Sequence, residues 1–119
     1  MNTKTKFLRD FNEAFVRNDA DFLSACITDD VYWNIINDQV FDGAEAFVKG
    51  IRSMKSDAIT NLQIHHIITH GSEAAVNGEI EMKFSDGKIS RFAFCDIYEL
   101  SGFKHPKVKK MTSYVMELK

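Results

Sequence analysis

Proline is nearly absent from the chain: Pro106 is the only one in 119 residues. That excludes Pro-rich linkers and argues against disorder. Cysteine is scarce too. Cys26 and Cys95 have no C-x-x-C spacing and no third partner. They read as buried thiols in a reducing compartment, with a disulfide as the alternative. No apolar run approaches the roughly 20 residues that span a bilayer, so no membrane is expected as a partner. Neither sign of charge is in excess: 15 Lys and Arg face 17 Asp and Glu, a formal charge of −2. A nucleic-acid binder would want a clear basic surplus, so that class is set aside. Met1-Asn2-Thr3-Lys4 leads into a charged amphipathic stretch and not into a signal-peptide apolar region, which predicts a cytoplasmic protein. There is no internal repeat, no Gly-rich phosphate loop and no Ser–His–Asp or Cys–His motif.

What remains is a globular composition, 45% hydrophobic and 27% charged. The length predicts a single domain over 1–119, large enough to bury a core without staples. Phe7, Phe11 and Phe15 recur every four residues beside Leu8 and Ala14, a helical stripe. Asn18-Asp19 ends this helix and caps a short second one, with Phe22, Leu23 and Cys26 on its inner face. Thr28-Asp29-Asp30 is expected to stop it. Val31 to Ile36 is a strand by propensity, and Val40-Phe41 a short return. Asp42, three residues before Glu45, predicts a capping box. Ala44, Phe47, Val48 and Ile51 then define a third helix, with Gly50 costing about 1 kcal/mol inside it.

After Met54 the period changes to two. Ile59 to Thr69 reads as a strand, Ala75 to Phe84 alternates, and Ser85-Asp86-Gly87-Lys88 is a hairpin turn. Ile89 to Leu100 is apolar on both faces and therefore central. Val108 to Leu118 is the last strand. Helices followed by strands predict an α+β fold. We expect a cone-shaped, curved antiparallel sheet wrapped around three N-terminal helices, with an apolar mouth.

Three segments carry a family likeness: Phe11-Asn12-Glu13-Ala14-Phe15-Val16-Arg17-Asn18-Asp19, Asp29-Asp30-Val31-Tyr32-Trp33, and Phe41-Asp42-Gly43-Ala44-Glu45-Ala46-Phe47. Together they resemble the nuclear transport factor 2-like (cystatin-like) superfamily, and within it the SnoaL-like small proteins. The resemblance covers nearly the whole chain and implies the cone fold. It implies no single activity, because the superfamily holds ketosteroid isomerases, polyketide cyclases, epoxide hydrolases, dehydratases and non-catalytic binders. Matching the ketosteroid isomerase strand puts its oxyanion-holding acid on Asp96. The partner tyrosine of that site falls on Phe11, and the proton-abstracting acid near Asn34 or Ile35. The arginine of the epoxide hydrolases falls on Phe94. The last-strand acid of the cyclases falls within Thr112 to Tyr114, which has none. No catalytic set of the superfamily is complete.

Asp96 shares a strand face with Phe92, Phe94, Tyr98 and Leu100. A carboxyl among aromatic rings is either hydrogen-bonded or shifted in pKa. It reads as a pocket acid with a raised pKa, or as a structural Asp bonded to a Tyr, Trp or backbone donor. Trp33 reads as a ligand platform or as core, and Phe11, Phe15, Phe94 and Tyr98 as lining of the cone. His66, Asn34 and Tyr114 are the possible second polar groups facing Asp96. His66 and His70 stand about 13 Å apart on one strand face, and no carboxylate or Cys completes a set with His65 and His105, so no metal or other cofactor is expected. Lys104, His105, Lys107, Lys109 and Lys110 read as solvated turn residues.

Two functions stay open. One is binding of a hydrophobic, carbonyl-bearing small molecule in the apolar cone, with metal-free isomerase, cyclase or dehydratase chemistry at Asp96. The other is a non-catalytic ligand-binding or dimeric accessory module. Ala93, Cys95, Ile97, Met111 and Val115 are expected on the sheet's outer face, an apolar patch that predicts a homodimer.

Overall fold

A computed structural model describes residues 2–119; Met1, the first residue of the N-terminal reading, lies outside them. Helix α1 (Thr3–Val16) starts where the Asn2 side chain accepts a hydrogen bond from the Thr5 amide at 2.7 Å. It ends where Asn18 turns left-handed at φ 54°. Asp19 N–H then donates back to Ala14 C=O at 2.9 Å, closing the helix end. As expected, the Asp19 carboxylate accepts from the Phe22 amide and caps α2 (Ala20–Ser24). Phe22 is exposed, however, and only Leu23 of this helix is buried.

Strand β1 (Ile27–Ile35) takes in Thr28-Asp29-Asp30, which were expected to form a stop. The reason is tertiary: Ile27 pairs with Val108 of the last strand. After β2 (Gln39–Asp42) comes α3 (Ala44–Ser53), and its N-cap is Gly43, not Asp42. Asp42 is held in the ladder opposite Tyr32, and Gly43 adopts φ 96°, which a side chain opposes. Gly50 has a packing reason: a Cβ there would meet the Phe41 ring at 2.5 Å.

Four long strands follow: β3 (Ile59–His70), β4 (Glu73–Lys83), β5 (Ile89–Ser101) and β6 (Lys107–Leu118). They form the expected antiparallel meander. The sheet is curved and open, in the order β2-β1-β6-β5-β4-β3. One pairing departs from the antiparallel expectation: β1 lies parallel to β6.

Two register details decide which side chains face inward. In β3 a bulge between Ile64 and His66 leaves Ile64 opposite Gly78 but His66 opposite Asn77. Beyond it Ile67 faces the core, and His66 and Ile68 face out. In β6 the pairs Tyr98–Met111, Asp96–Ser113 and Phe94–Val115 put the odd-numbered residues on the Asp96 side. Met111 and Val115 therefore belong to the inner face, and Tyr114 and Met116 to the outer.

The inner face is filled. Phe11 touches Phe15 at 5.2 Å and Tyr98 at 5.9 Å between ring centroids, and Trp33 touches Phe15, Phe41 and Phe47 at 5.1–5.2 Å. These rings, with Leu8, Val31, Ile51 and Val76, are the core of the cone.

Candidate functional site

Asp96 lies in this aromatic core, 5% exposed. Tyr98, two residues along the same face of β5, donates its hydroxyl to Asp96 Oδ2 at 3.2 Å. Ser113, directly across on β6, also donates to the carboxyl. Trp33 Nε1 donates to Ser113 Oγ at 2.9 Å. From the other side, Asn12 of α1 donates through Nδ2 to Tyr98 Oη at 3.1 Å and to Leu8 C=O at 2.8 Å. The result is a relay from α1 to β1 through five buried side chains, with the hydroxyls of Tyr98 and Ser113 both aimed at Asp96.

The electrostatics follow from that arrangement. Burial pushes the Asp96 carboxyl up to about 6, against the two hydroxyl donors, which pull it down. The Tyr98 hydroxyl is held well above its ordinary range, first by burial and then by the Asp96 charge. The raised Asp96 pKa expected from sequence is present, and its cause is the expected desolvation.

Phe11, Trp33, Phe94 and Tyr98 are buried around Asp96, as core. Phe15 is half-buried. Asn34 sits on the outer face, opposite Val40 and Thr112. Tyr114 is outside as well, 51% exposed and paired with Cys95. His66 is turned outward by the bulge, where Nδ1 meets Asn77 Oδ1 at 2.9 Å. None of the three reaches Asp96. The polar groups that do are Tyr98, expected beside it, and Ser113, while Asn12 connects to it only through Tyr98; the sequence does not mark Asn12 or Ser113 as members of the site. Asn12 follows Leu8 by four residues, a spacing that puts it on the buried stripe. Ser113 alternates between Met111 and Val115, a signal hidden by the wrong face assignment.

The molecule's large open cavity lies beside this relay, at the mouth of the cone. It has a volume of about 1040 Å³. Thr60, Ile80 and Met82 form its floor from the sheet, and Phe15, Ile51 and Met54 come from the ends of α1 and α3. Arg17, Asp19, Asp21, Arg52 and Lys55 supply its charged groups. Asp96 does not line it. Phe15 links the two: it lines the cavity and meets Trp33 edge to face at 5.2 Å. Among the described residues, no cluster of three or more His, Cys, Asp or Glu could hold a metal.

The SnoaL-like domain model matches residues 8–104. The chain belongs to the SnoaL-like domain family. A comparison with curated proteins returns no significant match. Among solved structures, a candidate SnoaL-like polyketide cyclase from Shewanella denitrificans superposes with a TM-score of 0.83 at 11% identity, over 98% of this chain and 92% of that one. A Mycobacterium tuberculosis LEH-like epoxide hydrolase gives 0.77 at 16%, over 93% and 80%. An NTF2-like protein of unknown function from Cytophaga hutchinsonii gives 0.72 at 24%, over 93% and 97%. At these identities the likeness establishes the NTF2-like fold of this SnoaL-like chain and leaves its chemistry to its own side chains.

Proposed function

We propose that this SnoaL-like protein binds a small, largely apolar, carbonyl-bearing molecule in the groove at the mouth of the cone. The observation that carries the reading is the groove itself: an open volume of drug-like size whose lining includes Ile80, Met82 and Phe15. Methionines suit a floor that adapts to its ligand. Thr60 and Ser56, with Arg17 and Lys55, supply hydrogen-bond donors for a carbonyl.

Binding without turnover is the reading the geometry favours. Asp96 already accepts two hydroxyl donors and does not line the groove. The second reading, metal-free isomerase, cyclase or dehydratase chemistry, rests on one observation. An acid held at about 6 can exchange a proton near neutral pH. It requires Phe15 to move so that a ligand carbonyl reaches Asp96.

The test is titration with the naphthyl ketone fluorophore prodan. The expected result is saturable, blue-shifted emission, lost in an Ala58→Trp variant that fills the groove and keeps its circular dichroism. Absence of saturable binding, or unchanged binding in the folded variant, overturns the reading.

The assembly we propose is a homodimer through the outer face of the sheet, where Ile97, Tyr114 and Met116 are exposed. Cys26 and Cys95 are free thiols, and no helix among the described residues is long and apolar enough to cross a membrane. The thiols support a cytoplasmic location.

A further inference from the structure

The charges lining the groove do not balance, and the imbalance points to a ligand class. Three cations, Arg17, Arg52 and Lys55, and two carboxylates, Asp19 and Asp21, line it. Both carboxylates are engaged. Asp19 accepts from the Phe22 amide at 3.1 Å, and Asp21 pairs with Arg52 at 3.5 Å. Arg17 and Lys55 take part in none of the four ion pairs found among the described residues. The groove therefore carries one surplus positive charge in a chain whose formal charge is −2.

Helix ends offer a simpler account of these cations, because C-termini favour positive charge. That account does not use their side-chain donors. The carbonyls at the end of α1 are taken by backbone amides, Arg17 N–H to Glu13 C=O at 3.2 Å, Asp19 N–H to Ala14 C=O at 2.9 Å and Asn18 N–H to Phe15 C=O at 3.0 Å. At the end of α3, Ile51 C=O accepts from Asn18 Nδ2 at 2.8 Å and from Met54 N–H at 3.1 Å. Arg17 and Lys55 thus line, without an ion-pair partner among the described residues, a cavity that also carries Ile80 and Met82.

We infer that the groove's ligand is an amphipathic monoanion: a carboxylic acid whose apolar body lies on Phe15, Ile51, Met54, Ile80 and Met82, with its carboxylate at Arg17 and Lys55. Arg offers a fork that matches carboxylate geometry, and Lys adds a point charge. One surplus charge fits one carboxylate. The inference rests on the groove reading above and refines it.

The experiment compares dansyl-labelled undecanoate with its methyl ester by fluorescence titration. The acid is expected to bind roughly tenfold tighter than the ester, a modest gain for exposed cations. Raising ionic strength should weaken the acid and leave the ester unchanged. In Arg17→Gln/Lys55→Gln the acid should fall to the affinity of the ester. Lys49→Gln, an exposed lysine of α3 outside the groove, should retain the difference. Equal binding of acid and ester by the natural chain, or a difference that survives the double variant, overturns the monoanion inference and leaves the groove reading standing. Failure of both probes to bind overturns the two together.

Discussion

Phe15 and Trp33 meet edge to face with their ring centroids 5.2 Å apart, and this contact separates the groove from the polar relay. On one side of it is a cavity open to solvent. On the other, Trp33 holds Ser113, and Ser113 holds Asp96. Whatever enters the groove is one ring, Phe15, away from the Trp33 indole that begins this relay.

Trp33, the only tryptophan, therefore reports on that boundary. Phe15→Ala should shift its emission to the red and cost about 2 kcal/mol, less than for a fully buried Phe because Phe15 is half-buried. Emission and thermal melting measured together check this. Unchanged emission would show that Phe15 does not seal Trp33 from the groove.

Asp96 makes stability depend on pH, with a sign that follows from its raised pKa. The folded state keeps the Asp96 proton up to about 6, whereas the unfolded chain releases it near the ordinary 3.8. As far as Asp96 is concerned, stability is highest below the lower value and falls as pH rises between the two. The whole loss is about 3 kcal/mol. Asp96→Asn should abolish this component: less stable than the natural chain at acidic pH, at least as stable above neutral. Urea unfolding at several pH values measures it, and a variant with an unchanged pH profile would assign the dependence elsewhere. Carbon-13 NMR of the Asp96 carboxyl gives the pKa directly; a value at or below 3.8 would mark a permanently charged structural residue.

Ser113→Ala tests the relay from its far end. It leaves the Trp33 indole N–H without its acceptor and takes one donor from Asp96. The expected cost is about 2 kcal/mol, with the Asp96 pKa moving higher still. A pKa unmoved by the substitution would mean that the Ser113 hydroxyl does not hold the carboxyl.

Gly50→Ala sets two effects against each other. Helix propensity favours alanine by about 1 kcal/mol. A Cβ 2.5 Å from the Phe41 ring demands that the ring shift, and that ring is packed on Trp33. Overpacking typically costs 1–3 kcal/mol, about enough to win. The variant should melt lower than the natural chain; a higher melting temperature would show that Phe41 yields freely.

The proposed dimer should appear in light scattering as a mass near twice 13.6 kDa. Met116→Glu, at an exposed outer position, should shift the mass toward one chain with no change in fold. A natural chain that scatters as a monomer at micromolar concentration removes the assembly.

Much of this architecture was legible in the sequence because it is written in periods. The Phe7–Phe11–Phe15 stripe, the 44–51 spacing and the alternation of β4 each specify an element and its buried face. Register is not written that way. The bulge at Ile64–His66 turns a predicted inward histidine outward, and only the facing strand reveals it. Met111 and Val115 read as outer-face residues for the same reason: two apolar faces of a strand look alike until a partner is placed beside them. Asp96 was recognisable as an acid among rings. Its partner Tyr98 follows from the alternation of β5; Ser113, and Asn12 behind Tyr98, do not, because they are small polar residues whose role depends on which side chains they meet across the core.

The parallel contact of β1 with β6 also governs the order of folding. The four-strand meander needs only near neighbours in sequence, since each hairpin closes through a short turn. Ile35 must find Ser113, some 78 positions along the chain, and closing so long a loop is slow relative to forming a hairpin. During synthesis β1 leaves the ribosome long before β6 and cannot be completed until the last strand emerges. Until then the helices and Trp33 have half a cone to pack against. Chains cut short within β6 should therefore expose the aromatic core and aggregate instead of settling into a smaller folded unit.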